Sequence, residues 1–153
     1  MGVSIRAARP SEAGTLSGLA LRSKAYWGYD EAFMAACRSE LTVTRQQITA
    51  GRVNVAEDDG TAVGFTTLAG DPPTGALGMM FVDPGSMGRG IGRMLFSRVV
   101  ADAGALGFTR LTIDADPHAE PFYRAMGAVR TGMIPSGSIP GRLLPSMAVD
   151  LPD

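Results

Sequence analysis

Apolar residues along the chain follow two different periods, and each period predicts a different kind of element. Near the N-terminus, Val3, Ile5 and Ala7 alternate with polar residues, which is typical of a half-buried strand. From Pro10 onward the apolar residues recur at helical spacing, in segments that end at Gly51. The first third of the chain is therefore predicted to be one strand followed by helices.

The middle of the chain has the pattern of a sheet. Residues 53–57 and 61–69 flank an Asp-Asp-Gly sequence at 58–60, which is a strong hairpin signal. Residues 76–82 are nearly all apolar, as expected of a central strand that is covered on both faces. The pattern predicts three successive strands.

The remaining third returns to alternating helices and strands. It predicts a helix over 91–106, a strand over 111–115, a helix that ends at Gly127, and two closing strands around a Pro- and Gly-rich loop at 134–145. The whole order predicts an α/β fold over 1–153 as a single domain. We expect a mixed sheet of about six to seven strands with helices on its faces.

Composition and charge narrow the classes of function. Charged residues make up 19% of the chain, the formal net charge is −1, and no Lys- or Arg-rich block is present. Nucleic acid is therefore not expected as a partner. The single cysteine, Cys37, offers no disulfide partner and no zinc spacing, so no metal is expected. The chain lacks an apolar signal core and any run of membrane-spanning length, which predicts a cytoplasmic protein that does not bind membranes.

The most informative segment joins the predicted buried strand to a helix. Between Phe81 and Arg93 the chain holds four glycines, all within residues 85–92. Glycines let a backbone approach a ligand closely and adopt positive φ angles. The first N–H groups of a helix lack partners and carry the positive end of its dipole. The combination predicts a pyrophosphate site.

Two familiar nucleotide-binding motifs do not fit this turn. A P-loop needs Gly-Lys-Ser/Thr, and no such lysine is present. A dinucleotide fingerprint needs a further glycine where Arg93 stands. A glycine-rich turn that holds no ligand stays open as the simpler interpretation.

The turn resembles the acyl-CoA-binding motif of the GNAT acyltransferase superfamily. In that family an apolar strand ends in Val-x-Pro and is followed by Gln/Arg-x-x-Gly-x-Gly/Ala. Val82, Pro84, Gly90 and Gly92 match, whereas Met87 stands where the family usually has Gln or Arg.

A second segment carries the resemblance independently. It is similar to the family's strand-to-helix motif, Asn-x-x-Ala/Pro-x-x-Phe-Tyr-x-x-x-Gly-Phe. Phe122, Tyr123 and Gly127 fall in register, while His118 is interpreted as the replacement for Asn and Ala128 as that for the final Phe. Two motifs at the right separation, within a matching order of elements, extend the resemblance over nearly the whole chain.

The resemblance implies a single-domain GNAT fold, with a sheet that is splayed between strands 4 and 5. Acetyl-CoA, the acyl donor, would lie in that cleft, with its pantetheine arm along the fourth strand and its pyrophosphate on the glycine turn. The residues expected to bind it are Phe81, Val82, Met87, Gly88, Arg89, Gly90, Ile91, Gly92, Arg93, His118 and Phe122.

The implied activity is an N-acyltransferase that moves acetyl directly to a primary amine of a small molecule or a protein. Tyr123 would protonate or hydrogen-bond the departing sulfur, because a phenol is still protonated at neutral pH. Trp27 and Tyr29 are expected in the wall of the acceptor site. Family habit also suggests a homodimer through the C-terminal strands.

The general base is the part of the site that the sequence leaves open. Many relatives carry Glu on the central strand, whereas residues 76–80 here read Ala-Leu-Gly-Met-Met. The candidates are Asp30, Glu31 and Glu40, or a chain of water molecules. The missing strand carboxylate also leaves an alternative function, a non-catalytic acyl-CoA sensor or regulatory module.

Overall fold

Seven strands and five helices follow one another along residues 2–152, which are the residues that this computed structural model describes. Met1 and Asp153, the two ends of the predicted domain, lie outside the described residues. The elements are β1 (Val3–Ala7), α1 (Ala13–Ala25), α2 (Glu31–Cys37), α3 (Arg45–Thr49), β2 (Val53–Asp58), β3 (Thr61–Ala69), β4 (Thr74–Val82), α4 (Ile91–Ala105), β5 (Arg110–Asp114), α5 (Glu120–Ala125), β6 (Val129–Pro135) and β7 (Leu143–Asp150).

Local side-chain chemistry sets several helix ends. The Asp30 carboxylate accepts a hydrogen bond from the Phe33 N–H at 2.8 Å and so caps the start of α2. Thr44 and Gln47 cap α3 reciprocally, since each side chain accepts from the other's backbone N–H. Gly127, with φ at +100°, follows the end of α5, which confirms that the helix ends at this glycine.

The strands of residues 2–152 form one mixed sheet in the order β1-β2-β3-β4-β5-β7-β6. Its neighbours are antiparallel, except that β4 and β5 are parallel. Asp59 and Gly60, with φ angles of 50° and 82°, form the turn between β2 and β3, as the Asp-Asp-Gly sequence predicted. The predicted mixed α/β sheet is confirmed.

The parallel pair β4–β5 is short. It joins only Thr74, Gly75 and Ala76 of β4 to residues 110–112 of β5. Beyond Ala76 the two strands separate, so the edge of β4 that faces β5 has no partner strand there. The predicted splay between strands 4 and 5 is confirmed.

A β-bulge lies where the strands begin to separate. Thr67 of β3 is opposite Met79, and Leu68 is opposite Leu77, so Gly78 is the extra residue of β4. The Thr67 hydroxyl accepts a hydrogen bond from the Met79 N–H at 2.9 Å. A Cβ on residue 78 would lie 2.8 Å from the Thr67 hydroxyl oxygen, which explains the glycine.

The burial of one strand and the length of one loop differ from the prediction. The half of β4 from Met79 to Val82 is only partly buried, rather than covered on both faces, because the separation from β5 leaves its side open. The predicted loop at 134–145 is also shorter, since Pro135 belongs to β6 and Leu143 begins β7.

Helices cover both faces of the sheet. α1 packs on β3 and β4, where Leu16, Leu19 and Phe65 are fully buried in one cluster. α4 packs on the opposite face of the sheet, where it contacts Gly64, the residue before Phe65 in β3. A Cβ there would lie 2.9 Å from the Leu95 side chain. The predicted cover of helices on the faces is confirmed.

Thr66 carries the one buried side-chain polar atom of the described residues that has no hydrogen-bond partner. We expect Thr66→Val to raise the free energy of unfolding by about 1 kcal/mol, since it removes a desolvated hydroxyl and keeps the shape. Urea unfolding measures the difference. Thr66→Ala serves as the control: it also removes the hydroxyl but leaves space, so it should be less stable than the valine variant. A valine variant no more stable than the parent would contradict the assignment.

Candidate functional site

The separation of β4 from β5 opens a cleft of about 620 Å³, the size of a small-molecule site. Its walls are the free edge of β4, the start of α4, the end of β5, α5, the ends of α1 and α2, and the β6–β7 hairpin. The sequence-predicted residues that line it are Trp27, Phe81, Val82, Met87, Gly88, Gly90, Ile91, Gly92, Arg93, His118, Phe122 and Tyr123.

Two predicted residues lie outside the lining. Arg89 is turned away, because its guanidinium binds the Asp58 carboxylate of the β2–β3 hairpin at 2.9 Å. Tyr29 lies behind the wall, where its ring stacks on Phe33 with the ring centres 3.9 Å apart. Its hydroxyl reaches Asp116, which does line the cleft.

The glycine turn has the conformation that its sequence predicts. Gly88 and Gly90 have φ angles of +83° and +80°, a region that favours glycine. No atom lies within 4 Å of a Cβ built on either residue, so the turn is open. The Met87 N–H lies 3.4 Å from the Pro84 carbonyl oxygen, and the free donors of the turn therefore begin at Gly88.

The start of α4 continues this row of donors. The first helical hydrogen bond is donated by the Met94 N–H to the Gly90 carbonyl at 3.1 Å. The N–H groups of residues 91–93 precede it and have no partner within the helix. They carry the positive end of the helix dipole, so the row of donors is suited to a phosphate.

Close packing between α4 and α5 explains the last glycine of the turn. A Cβ on Gly92 would lie 3.3 Å from the Phe122 ring. Phe122 in turn contacts Phe96 of α4 edge to face, with the ring centres 6.4 Å apart. The two helices therefore begin side by side at the mouth of the cleft.

Tyr123 is buried beside these rings, with 5% of its surface exposed. Its ring contacts Phe96 and Phe122, and no hydrogen bond to its hydroxyl is present among the described residues. Burial, with a smaller contribution from the charge of Asp116, raises the pKa of Tyr123 well above its usual range. The phenol is therefore protonated at neutral pH and can donate a hydrogen bond into the cleft.

Asp116 is the centre of a polar cluster in the opposite wall, here called the Asp116 cluster: Lys24, Tyr29, Asp116, His118 and Arg142. The carboxylate accepts from the Lys24 ammonium at 2.6 Å, the Tyr29 hydroxyl at 2.9 Å and the His118 backbone N–H at 2.9 Å. The Arg142 guanidinium donates to the Tyr29 hydroxyl at 2.8 Å. The cluster joins α1 and the turn after β5 to the β6–β7 hairpin.

These bonds decide the charge of the cluster. Burial by itself would raise the pKa of Asp116, but hydrogen bonds from Lys24, the His118 backbone and Tyr29 hold that pKa well below its usual range. Burial and the neighbouring Asp116 raise the pKa of Tyr29 to about 12. At neutral pH the cluster thus contains an ionised carboxylate and a protonated phenol.

Aromatic contacts fix the orientation of the cluster. The Trp27 and His118 rings are stacked, with centres 4.6 Å apart and planes 7° from parallel. The Arg142 guanidinium lies 5.2 Å from the centre of the Tyr29 ring and 4.9 Å from that of Phe33. Few alternative positions remain for these side chains.

One of the three candidate bases lies in the cleft wall. Glu40 lines the cleft, and its carboxylate accepts a hydrogen bond from the Ser138 hydroxyl at 3.0 Å. Asp30 is engaged as the cap of α2, and Glu31 is not part of the lining.

The sequence reasoning missed Asp116, Lys24 and Arg142. A signal for the first was present, because the motif places its Asn seven residues before the Tyr, which is position 116 when the Tyr is Tyr123. His118 is two residues too late. Lys24 and Arg142 lie 92 and 26 residues from Asp116 along the chain, so no local pattern connects them to it.

Within residues 2–152, no helix has the length and apolar character needed to cross a membrane. Among the same residues, no three His, Cys, Asp or Glu side chains converge in a way that could hold a metal ion.

Comparison with known proteins gives a consistent result. The model of the Acetyltransferase (GNAT) family matches residues 22–128. Serotonin N-acetyltransferase 2, chloroplastic, of Oryza sativa subsp. japonica is 35% identical over 69 residues. That match spans 44% of this chain and only 34% of the rice protein, so the chain covers about a third of this relative's length.

Solved structures match over nearly the full chain. A GCN5-related N-acetyltransferase from Rhodopseudomonas palustris is 26% identical with a TM-score of 0.81, over 99% of this chain and 97% of that one. The PaiA N-acetyltransferase from Thermoplasma acidophilum, solved in complex with coenzyme A, is 17% identical with a TM-score of 0.79, over 98% and 99% of the two chains. The second likeness shows the fold alone.

Replacing Asp116 tests the electrostatics of the cluster. We expect Asp116→Asn to lower the free energy of unfolding by about 3 kcal/mol at pH 7, because it leaves the Lys24 charge without its partner. The folded pKa of Asp116 lies below the ordinary value of 3.8. Its stabilisation is therefore complete above that ordinary value and is lost as the pH falls through the folded pKa.

Urea unfolding of parent and variant from pH 7 down to pH 3 checks this expectation. The difference between them should be constant above about pH 5 and shrink below about pH 4. Asp114→Asn, at the exposed end of β5, is the control and should change stability by less than about 0.5 kcal/mol. A difference that does not depend on pH would contradict the assignment.

Proposed function

The chain belongs to the GNAT acetyltransferase family, and we propose that residues 1–153 act as one domain that transfers acetyl from acetyl-CoA directly to a primary amine of a small molecule or a protein. The observation that carries the proposal is the placement of a phosphate-binding turn and of Tyr123 in the walls of one cleft. Each part is needed for a different portion of the donor.

The donor is proposed to lie across the free edge of β4. Its pyrophosphate would accept hydrogen bonds from the backbone N–H groups between Gly88 and Arg93, with the Arg93 side chain adding positive charge. Its pantetheine amides would pair with the unpaired backbone near Phe81 and Val82, as an added strand does. The structural relative PaiA holds coenzyme A in the same fold.

The reaction then requires one bond to form, one bond to break and a proton to leave the nitrogen. The amine nitrogen attacks the thioester carbonyl carbon, a C–N bond forms, the C–S bond breaks, and the nitrogen loses a proton to a base. A backbone N–H on the free edge of β4, near Phe81 or Val82, would stabilise the carbonyl oxygen as it gains charge. The Tyr123 hydroxyl would donate to the sulfur as it leaves.

Glu40 is proposed to receive the amine's proton, directly or through water. It is the one of the three candidate carboxylates that lines the cleft. The strand residues 76–80 supply no carboxylate, and this observation favours the second candidate function, an acyl-CoA sensor without turnover. The two functions share the donor site and differ in whether Tyr123 and Glu40 act on a bound thioester.

Calorimetric titration with acetyl-CoA tests the donor site. We expect micromolar binding of acetyl-CoA and no comparable binding of NADH or ATP. Gly90→Ala should weaken acetyl-CoA binding by about tenfold or more, because a side chain strains the backbone at this positive φ and reorients the N–H groups.

The matched control is Gly51→Ala, which has the same kind of strain at φ +83° after α3. It should lose similar stability and retain the affinity of the parent. Folded protein, freed of copurified coenzyme A, that binds none of the three nucleotides would show that the turn is purely structural.

Tyr123→Phe separates the two candidate functions. We expect kcat to fall by about 100-fold, because the departing sulfur loses its hydrogen-bond donor, and the Kd of acetyl-CoA to stay within about threefold. Thiol release in the presence of an amine panel measures the rate. Tyr26→Phe, at a tyrosine that is 56% exposed, is the control and should retain full activity. An unchanged kcat in the Tyr123 variant, or binding without turnover of any amine, would contradict the catalytic role.

A further inference from the structure

The Asp116 cluster contains more positive than negative charge. The Lys24 and Arg142 side chains are only 12% and 18% exposed, and both approach the same carboxylate, that of Asp116. Charges withdrawn from water in this way need partners of opposite sign. One carboxylate offsets one of the two cations, so the Asp116 cluster contains one positive charge in surplus.

Arg142 has unused hydrogen-bond donors on two of its three guanidinium nitrogens. Its Nη2 donates both of its hydrogen bonds to other side chains, one to the Tyr29 hydroxyl at 2.8 Å and one to the Asp116 carboxylate at 3.4 Å. Within the described part of the chain, Nη1 and Nε make no such bond. Arg142 lines the cleft, and its guanidinium lies against the Tyr29 and Phe33 rings. A guanidinium with unused N–H groups is suited to bind a carboxylate.

A negative charge lies on the same side of the cleft. The Glu40 carboxylate is held by Ser138, and Ser138 and Arg142 belong to one short loop, closed by the hydrogen bond from the Ser136 N–H to the Arg142 carbonyl at 2.8 Å. This side of the cleft thus presents a cation, Arg142, and an anion, Glu40, from neighbouring positions. The other charged residues in the cleft lining, Arg93 and Asp114, belong to the α4 turn and the end of β5.

We propose that the acceptor is a small zwitterion, an amine that also carries a carboxylate, as in an amino acid. Arg142 would bind the carboxylate, and the ammonium would face Glu40, which is positioned to take its proton. This inference deepens the proposed function and rests on it, because it names the acceptor of the same transfer. Amines without a carboxylate would leave the Nη1 and Nε donors of Arg142 without a partner and bind less well.

The test compares matched acceptors on parent protein and variants. Thiol release from acetyl-CoA is measured with each of the common L-amino acids and with the corresponding L-amino acid amides, which keep the amine and side chain but lack the carboxylate. The variants are Arg142→Gln and Arg142→Lys, and Arg110→Gln serves as the control, since its surface ion pair with Asp150 lies outside the cleft. Comparing parent with variant for each acceptor cancels the different intrinsic reactivities of the two amines.

We expect Arg142→Gln to lower kcat/KM for the preferred amino acid by about 10- to 100-fold, mainly through KM, since a hydrogen bond between charged groups is lost. In the same variant, kcat/KM for the corresponding amide should change by less than about threefold. Arg142→Lys should recover part of the loss, and Arg110→Gln should resemble the parent. If the role of Arg142 were purely structural, Arg142→Gln would lower kcat/KM equally for the amino acid and for its amide. That result would overturn the inference.

A second readout covers the case in which turnover is slow. Trp27 is the only tryptophan of the chain and lines the cleft, so its fluorescence reports on this wall. With coenzyme A bound, amino acids should change its emission in the parent protein and much less in Arg142→Gln.

The outcomes separate the inference from the function on which it rests. Efficient acetylation of amides or simple amines, unaffected by Arg142→Gln, would overturn the inference and leave the proposed transferase intact. Acetyl-CoA binding with neither acetylation of an amino acid nor a fluorescence response to one would also overturn it. Absence of acetyl-CoA binding would overturn both.

Discussion

The parallel strands β4 and β5 pair over three residues and then separate, and the site depends on that short pairing. A longer ladder would fill the cleft with backbone hydrogen bonds. The bulge at Gly78, held by the Thr67 hydroxyl, bends β4 at the point of separation. Because the strands are parallel, the helices that follow them both begin at the open end, which brings the start of α4 and Tyr123 of α5 to one place.

The cleft uses two kinds of electrostatics at its two ends. At the glycine turn the positive potential comes from backbone N–H groups and a helix dipole, so a chain with a net charge of −1 can still provide a phosphate site. At the other end it comes from side chains around Asp116, whose ionised state depends on Lys24 and Tyr29. Backbone N–H groups are suited to the pyrophosphate, which every acyl-CoA has in common. Side-chain charges can instead discriminate between acyl acceptors.

Tyr123 bears on the choice between an enzyme and a sensor. Its ring is almost completely buried. Its hydroxyl has no hydrogen-bond partner among the described residues but is not fully enclosed, so it reaches the cleft. A buried hydroxyl without a protein partner costs free energy unless a ligand or a water molecule forms a hydrogen bond with it. A thioester sulfur in the cleft would do so. The absence of a carboxylate on β4 then leaves Glu40, on a neighbouring wall, as the carboxylate proposed to accept the proton.

The sequence by itself determined the features whose signals are local. Alternation and an apolar run indicated strands, Gly127 marked the end of a helix, the glycines of residues 85–92 marked the turn, and the motif shared with the GNAT family marked α5. Each of these signals acts between residues a few positions apart, where backbone geometry alone decides the outcome.

Only the tertiary structure decided which residues form the Asp116 cluster. Lys24, Asp116 and Arg142 come from α1, the turn after β5 and the β6–β7 hairpin, and no spacing in the chain connects them. The same holds for Arg89. The motif predicts that Arg89 contacts the cofactor, but its guanidinium binds Asp58 of the β2–β3 hairpin, outside the cleft. Ion pairs form between whichever charges the packed fold brings within reach, and that distance is set by the sheet rather than by separation along the chain.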